Sequence, residues 1–295
     1  MAGAIIIWRW ACSLALRLAP VVAMIFAVGA SVVDAPPAMA QDGKKPRRIV
    51  SLNICTDQLV VLLADREAIA SVTFLAADPV RSYVADRVDG LHANHGLAEE
   101  VVALEPDFVI AGQFAAGPAV EMLRRLGIPV TVLPLPASFA DIREQIAFVA
   151  KAVGEPERGA RAIADMDAAL AAARPNGTGP RRVAAIFGPN GFTGGPGSLP
   201  HAVIEAAGYE NFAARIGFGA IGQYSVEDII KGRPDILVLN ADESAAPSLA
   251  RALLRHPAFG KLPYSAETVE VPPRLWTCGG PFTAEAVSIL TGNAP

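Results

Sequence analysis

Residues 156–174 read PERGARAIADMDAALAAAR, and the reading of this stretch decides the fold. Eight of the eighteen residues from 156 to 173 are alanine, the best helix former. Pro156 suits a first helical turn, where its missing N–H costs nothing, and Pro175-Asn176-Gly177 stops the run. At ~1.5 Å per residue the stretch makes a rod of roughly 28 Å, about the diameter of a small domain. Ile163, Met166 and Leu170 recur at helical spacing as one narrow apolar stripe, while Arg158, Arg161, Asp165 and Asp167 lie elsewhere. An alanine-rich helix is a semi-rigid strut where a Gly/Ser linker would be loose. On this stretch alone, a strut between two halves and an ordinary surface helix inside one domain both stand.

The flanking sequence repeats one grammar on each side. Before the rod, residues 49–52 read as a short buried strand, 53–55 as a loop, and a helix capped by Thr56 runs to Ala64. Strands follow at 69–74, 108–112 and 129–133, with helices at 97–104 and 118–126. Ser138-Phe139-Ala140-Asp141 opens a helix whose Ile142, Ile146, Val149 and Val153 share a face, and Gly154 closes it. After the rod come a strand at 183–187, a glycine-rich loop at 188–198 and helices at 200–207, 226–231, 248–256 and 282–290. Two further strands fall at 236–240 and 268–271. This alternation implies an α/β protein of two lobes, each a mostly parallel sheet flanked by helices, joined by one long helix. The expected units are an N-terminal lobe at 46–154, the connecting helix at 155–175 and a C-terminal lobe at 180–292.

The two halves also share a phrase. AEEVVALEPDFVIAG at 98–112 lies on VEDIIKGRPDILVLN at 226–240 without a gap, so Glu99 meets Glu227 and Pro106-Asp107 meets Pro234-Asp235. Each reads as helix, Pro-Asp turn and buried strand. Common descent and convergence of helix-turn-strand units both account for it. Neither glutamate is needed for the apolar stripe, which the Val and Ile pairs supply.

The chain has 295 residues, 52% of them hydrophobic and 6% aromatic, enough to bury a sizeable core in two lobes. Its formal net charge is −4 and no block of five like charges occurs, which argues against nucleic acid or an anionic membrane surface as partner. Residues 1–40 stand apart: Arg9 and Arg17 precede an apolar run at 18–33, and Ala38-Met39-Ala40 offers a cleavage site before Gln41. This reads as a secretory signal peptide, with an uncleaved membrane anchor as the other reading. Either way the body is exported, and the expected location is the periplasm. Cleavage after Ala40 leaves 23 basic and 28 acidic residues, a net charge of −5.

Enzymatic signatures are missing: there is no G-x-S-x-G elbow, phosphate loop or H-E-x-x-H helix, so no catalytic residue and no cofactor is assigned. The loop at 191–198 lacks a phosphate-binding lysine and carries Pro196, which makes it a plain mobile loop over a cleft. His92 and His95 are the best metal suggestion, but a zinc or manganese site wants three or four converging donors, and no metal site is assigned. Polar and aromatic residues instead gather after strand ends: Asn53 and Cys55, Gln113 and Phe114, Asn190 and Phe192, Asn240 and Asp242, Trp276 and Cys278. In open α/β sheets that edge binds ligands. Two such edges facing each other would form one cleft, with Phe114, Phe192, Tyr224 and Trp276 as flat walls. Adding His95, the candidate ligand-binding set is Asn53, Cys55, His95, Gln113, Phe114, Asn190, Phe192, Tyr224, Asn240, Trp276 and Cys278.

RIVSLNICTDQLVVLLADREAIASVTF, EEVVALEPDFVIAG, LRRLGIPVTVL and, beyond the rod, SVEDIIKGRPDILVL together resemble the helical-backbone substrate-binding proteins of ABC importers for ferric siderophores, haem and vitamin B12. The resemblance covers nearly all of the chain after the leader. It implies a ligand held between two lobes, little hinge motion, and a glutamate on each lobe that docks on arginines of a membrane permease. Those glutamates match Glu99 and Glu227. It therefore implies a binding protein and not an enzyme, acting as a monomer, with a ferric siderophore, haem or corrinoid as ligand and an ABC permease as partner. Cys55 and Cys278 would border the cleft from opposite lobes, either bonded, or as thiols facing a metal chelate, or as two unrelated small residues. The alternative from another class is a periplasmic metal-handling protein or enzyme on the same frame, using His92, His95 and the cysteines.

Overall fold

The computed structural model describes residues 45–114, 117–175, 180–240, 257 and 264–293. The expected helix at 248–256, Asp242 and the leader at 1–40 lie outside the described residues.

The first sheet contains β1 (Ile49–Ser51), β2 (Ile69–Thr73), β3 (Ala93–Asn94), β4 (Phe108–Gly112) and β5 (Val130–Leu133), in the order β3-β2-β1-β4-β5, all parallel. Parallel strands need crossover connections, and these put helices on both faces. Alternate residues serve the two layers. Ile49 and Ile110 join Leu59 and Leu63 of α1 (Ile54–Leu63) and Ile142, Ile146 and Val149 of α4 (Phe139–Ala152). Val50 and Val109 join Val101 of α2 (Ala98–Ala103) and Leu123 of α3 (Gly117–Arg125).

The second lobe repeats this plan. Its parallel sheet runs β11-β10-β6-β8, where β6 is Val183–Phe187, β8 Glu210–Asn211, β10 Ile236–Asn240 and β11 Glu267–Val271. One face meets α6 (Leu199–Ala206) and α9 (Thr283–Leu290), and the other meets α7 (Phe212–Arg215) and α8 (Val226–Gly232). A short antiparallel pair, β7 (Phe192–Thr193) with β9 (Gly222–Gln223), has no counterpart in the sequence reading.

The rod forms as α5, Pro156–Ala172, with Pro156 in its first turn and a length of about 26 Å. Its stripe behaves as read: Met166 is buried in the first lobe's core, Ile163 packs on that core, Leu170 touches both cores, and Ala173 enters the second. At Gly159 a Cβ would lie 2.3 Å from the Cβ of Ala150, so glycine is what lets α5 close onto α4. Arg143 on α4 holds Asp167 at 2.6 Å, and Arg158 reaches back to the Leu63 carbonyl at 2.6 Å and Asp65 at 2.9 Å.

Two local expectations need correction. Helix α1 is capped by Asn53 rather than Thr56: Asn53 Oδ1 accepts from Cys55 N at 2.8 Å, so residues 54 and 55 belong to the first turn. Thr56 instead donates to the Asn53 carbonyl at 2.9 Å. The glycine-rich loop is tied down rather than draped. Asn211, fully buried, donates to Gly194 O at 2.8 Å, Ser198 Oγ donates to Gly195 O at 2.7 Å, and Ser198 caps α6.

Helix α1 also buries Asp57 completely; it accepts from Thr73 N at 3.1 Å and Thr73 Oγ1 at 2.5 Å. Burial pushes its carboxyl up to about 7, against the opposing pull of its hydrogen bonds from Ser51 and Thr73. Between an ordinary aspartate value of about 4 and that raised value, the folded chain holds a proton that the unfolded chain has lost. The contribution is therefore full at low pH and is lost as pH rises through about 7, by at most about 1.4 kcal/mol per pH unit. Urea unfolding at pH 5 and pH 8 should show a drop in stability that Asp57→Asn, neutral at both, largely removes; an equal drop in both proteins would place the effect elsewhere.

Candidate functional site

The C-terminal ends of β1, β4 and β5 open onto one hollow. It is lined by Asn53, Cys55, Thr56, Leu59, Gly112, Gln113, Phe114, Leu133, Pro134, Leu135, Pro136 and Gln145 of the first lobe and by Gly279 of the second. Its position follows from the sheet, since the strand before each loop delivers its last residue to the same edge. Asn53 is held twice, by capping α1 and by packing over Gly112, where a Cβ would fall 2.9 Å from its Cγ. Gln113 Oε1 accepts from Leu135 N at 3.3 Å, and Gln145 donates to the Pro134 carbonyl at 2.8 Å. Around these amides the lining is apolar, and Phe114 is 79% exposed at the rim. The hollow therefore offers carboxamide groups on an apolar ground and carries no charged side chain among its described lining residues.

Four of the expected ligand residues, Asn53, Cys55, Gln113 and Phe114, come together here, and Cys278 joins them through a disulfide to Cys55 with an S–S distance of 2.09 Å. Neither cysteine is then a thiolate, which removes both from the donor set of the metal-handling alternative. Among the described residues no cluster of three or more His, Cys, Asp or Glu is arranged to hold a metal. Asn190, in the left-handed region at φ 61°, and Phe192 are exposed on the second lobe, where the Asn190 carbonyl accepts from Gln223 at 2.8 Å. Asn240 ends β10, and its side chain lies outside what is described.

Three residues depart from the expectation. Tyr224 is 2% exposed and packs between Phe212 and Phe218, with ring centroids 5.4 Å away on both sides. Trp276, 5% exposed, belongs to the core under β11. Neither is a wall of the hollow, because each turns into its own lobe's apolar layer. His95 stands beside α2, outside the hollow: its Nδ1 meets Glu100 at 3.0 Å and its ring stacks on Phe74. The His95 backbone N–H and ring hold the Glu100 carboxyl below its usual value.

Sequence reasoning missed Gln145, Leu135 and Gly279. The run Leu133-Pro134-Leu135-Pro136 follows a strand end, so the rule that found Gln113 could have found Leu135; Gln145, on α4 and far from any strand end, carried no such signal.

The shared phrase is structural. Glu99 and Glu227 are both exposed one residue inside the start of equivalent helices. Seven residues after the start of each helix, Glu105 and Arg233 both take the left-handed conformation, at φ 45° and 50°. Asp107 then accepts from Arg47 N and Arg48 N ahead of β1, as Asp235 accepts from Val183 N at the start of β6. Three such coincidences at one offset are not expected of unrelated helix-turn-strand units.

Residues 49–267 match the family described as periplasmic binding protein. The chain belongs to that family. Cobalamin-binding proteins of two strains of Halobacterium salinarum are 32% identical to it over 219 residues, which is 71% of this chain and 58% of theirs. The chain thus spans 58% of the length of the curated relatives it matches. Among solved structures, the apo form of the periplasmic heme-binding protein RhuT from Roseiflexus sp. RS-1 superposes with a TM-score of 0.69 at 26% identity, covering 84% of this chain and 97% of that one. A periplasmic heme-binding protein from Pseudomonas aeruginosa, 22% identical, shares the fold with a TM-score of 0.65 over 84% of this chain and 92% of that one. The two-lobed α/β architecture read from the sequence is the family's.

Proposed function

We propose that this periplasmic binding protein is the solute receptor of an ABC importer, not an enzyme, and that its ligand is a corrinoid. The observation that carries the ligand class is the chemistry of the hollow: carboxamides of Asn53, Gln113 and Gln145 among apolar side chains, with no histidine, tyrosine, methionine or free thiol among its described lining residues. A haem iron wants an axial side-chain donor of those types. A corrinoid brings a cobalt held by its own macrocycle, and its rim of amide side chains pairs with carboxamides. The cobalamin-binding relatives support the same choice. Within this reading residues 1–40 are the export signal, the chain works in the periplasm as a monomer, and Glu99 and Glu227 dock on arginines of the permease, since guanidinium forks bind carboxylates in pairs of hydrogen bonds.

Thermal-shift titration against cyanocobalamin, cobinamide, haemin and a panel of ferric siderophores tests it. A ligand at a hundred times its Kd stabilises the folded chain by about 2.7 kcal/mol, a shift of several degrees. The expected result is a shift with the corrinoids and none with haemin; a shift with haemin or a siderophore alone would overturn the ligand assignment.

A further inference from the structure

Residues 276–285 follow β11 and belong to the second lobe, whose core takes in Trp276, Cys278 and Phe282, yet several of them also reach the first lobe. Cys278 is bonded to Cys55 on α1, across 223 residues of sequence. Gly279 sits so close that a Cβ would fall 2.5 Å from Pro136 Cγ and 2.9 Å from Ile142 Cγ1. The Phe282 ring stacks on Tyr83 at 4.5 Å, the Tyr83 hydroxyl donates to Glu285 at 2.5 Å, and Ala284 is part of the first lobe's core. Tyr83 is itself fixed to α1, its N–H donating to Gln58 at 2.8 Å. The lobes are therefore joined by a strap as well as by α5, and the rod is not the sole rigid connection. Cys55, the first-lobe end of the bond, and Gly279 of the strap both line the hollow.

We propose that the Cys55–Cys278 bond is the pin of a redox-sensitive clasp: intact, it holds the floor of the hollow in its binding geometry, and exchange with a dithiol releases residues 276–285 from the first lobe and frees the ligand. This rests on the hollow being the ligand site. Cys55 is half-buried and Cys278 is 1% exposed, so an incoming thiolate meets Cys55 Sγ. That attack forms a mixed disulfide and expels the Cys278 thiolate, which takes a proton. The second thiolate of the reductant then displaces Cys55, which is also protonated, and the reductant leaves as its disulfide. Two electrons and two protons pass to the protein. What then holds the strap is one ring stack, one hydrogen bond, the seat of Gly279 and Ala284 in the first lobe's core, with α5 as the remaining connection on which the lobes turn.

The test compares the full oxidised chain, the same chain reduced with dithiothreitol, and Cys55→Ala/Cys278→Ala, by hydrogen exchange without ligand and by cyanocobalamin affinity. Reduction is expected to open the amides of 276–285 to exchange at least tenfold sooner while α4 is still protected, and to weaken cyanocobalamin binding at least tenfold, reversibly on reoxidation. Exchange in 276–285 that keeps pace with α4 would mean the bond only stabilises the fold, and overturns the clasp. Early opening of the strap with unchanged affinity overturns the gating of the ligand. If the oxidised chain binds no cyanocobalamin, the corrinoid reading fails, and the exchange experiment alone decides the clasp.

Discussion

A chain carrying Glu99→Lys and Glu227→Lys together is expected to bind its ligand as tightly as the natural chain and to deliver almost none of it. Both carboxylates are exposed near the starts of short helices, on side chains that no apolar layer uses and outside the hollow's lining. Reversing them should therefore leave the fold and the ligand contacts alone. At an interface with guanidinium groups the same change replaces an attractive pair by a repulsive one, at a cost of about 2–5 kcal/mol per site when the pair is desolvated. Two sites together weaken docking by at least roughly a thousandfold. Uptake in cells that depend on this importer measures the loss, and affinity of the purified chain measures the control. Undiminished uptake would remove the docking role from both residues; lost affinity would place them in the ligand site.

Cys55→Ala/Cys278→Ala is expected to cost more stability than any other change considered above. The bond closes a loop of 223 residues, and the chain-entropy model gives roughly 5 kcal/mol for a loop of that size. That figure is an upper value, because an unfolded chain with residual structure has less entropy to lose. With denaturant slopes typical of proteins, urea midpoints should fall by roughly 1–2 M. An unchanged midpoint would mean that the two halves unfold separately, each without reference to the bond between them.

The parts of this molecule that were legible from sequence are those whose cause is local. The faces of α4 and α5 follow from helical spacing, and Met166 and Leu170 lie where that spacing puts them. The strand-end rule located Asn53, Gln113 and Phe114 because a parallel sheet sends every strand's exit to one edge. Tyr224 and Trp276 follow strands too, but which way an aromatic ring turns depends on the layer beside it. Phe212 and Phe218 draw Tyr224 inward, and neither is recognisable beforehand as its neighbour. The Cys55–Cys278 bond was one of several open readings, since pairing depends on where loops 223 residues apart come to rest. Tyr83 carried no signal at all: its contacts with Phe282 and Glu285 exist only once both lobes are in place.

The left-handed turns at Glu105 and Arg233, with the aspartates that follow them, mark the two lobes as copies of one unit. A single chain then carries an exposed glutamate at the same place in each unit, so under the proposed docking role a partner made of two identical subunits would meet the same local feature twice. The hollow does not share this symmetry, since twelve of its lining residues come from one lobe and a single glycine from the other. The two glutamate-bearing helices are thus repeated in local structure, and the hollow is not. Under the proposed function, changes to the loops around the hollow would alter what is carried and leave Glu99 and Glu227 as they are.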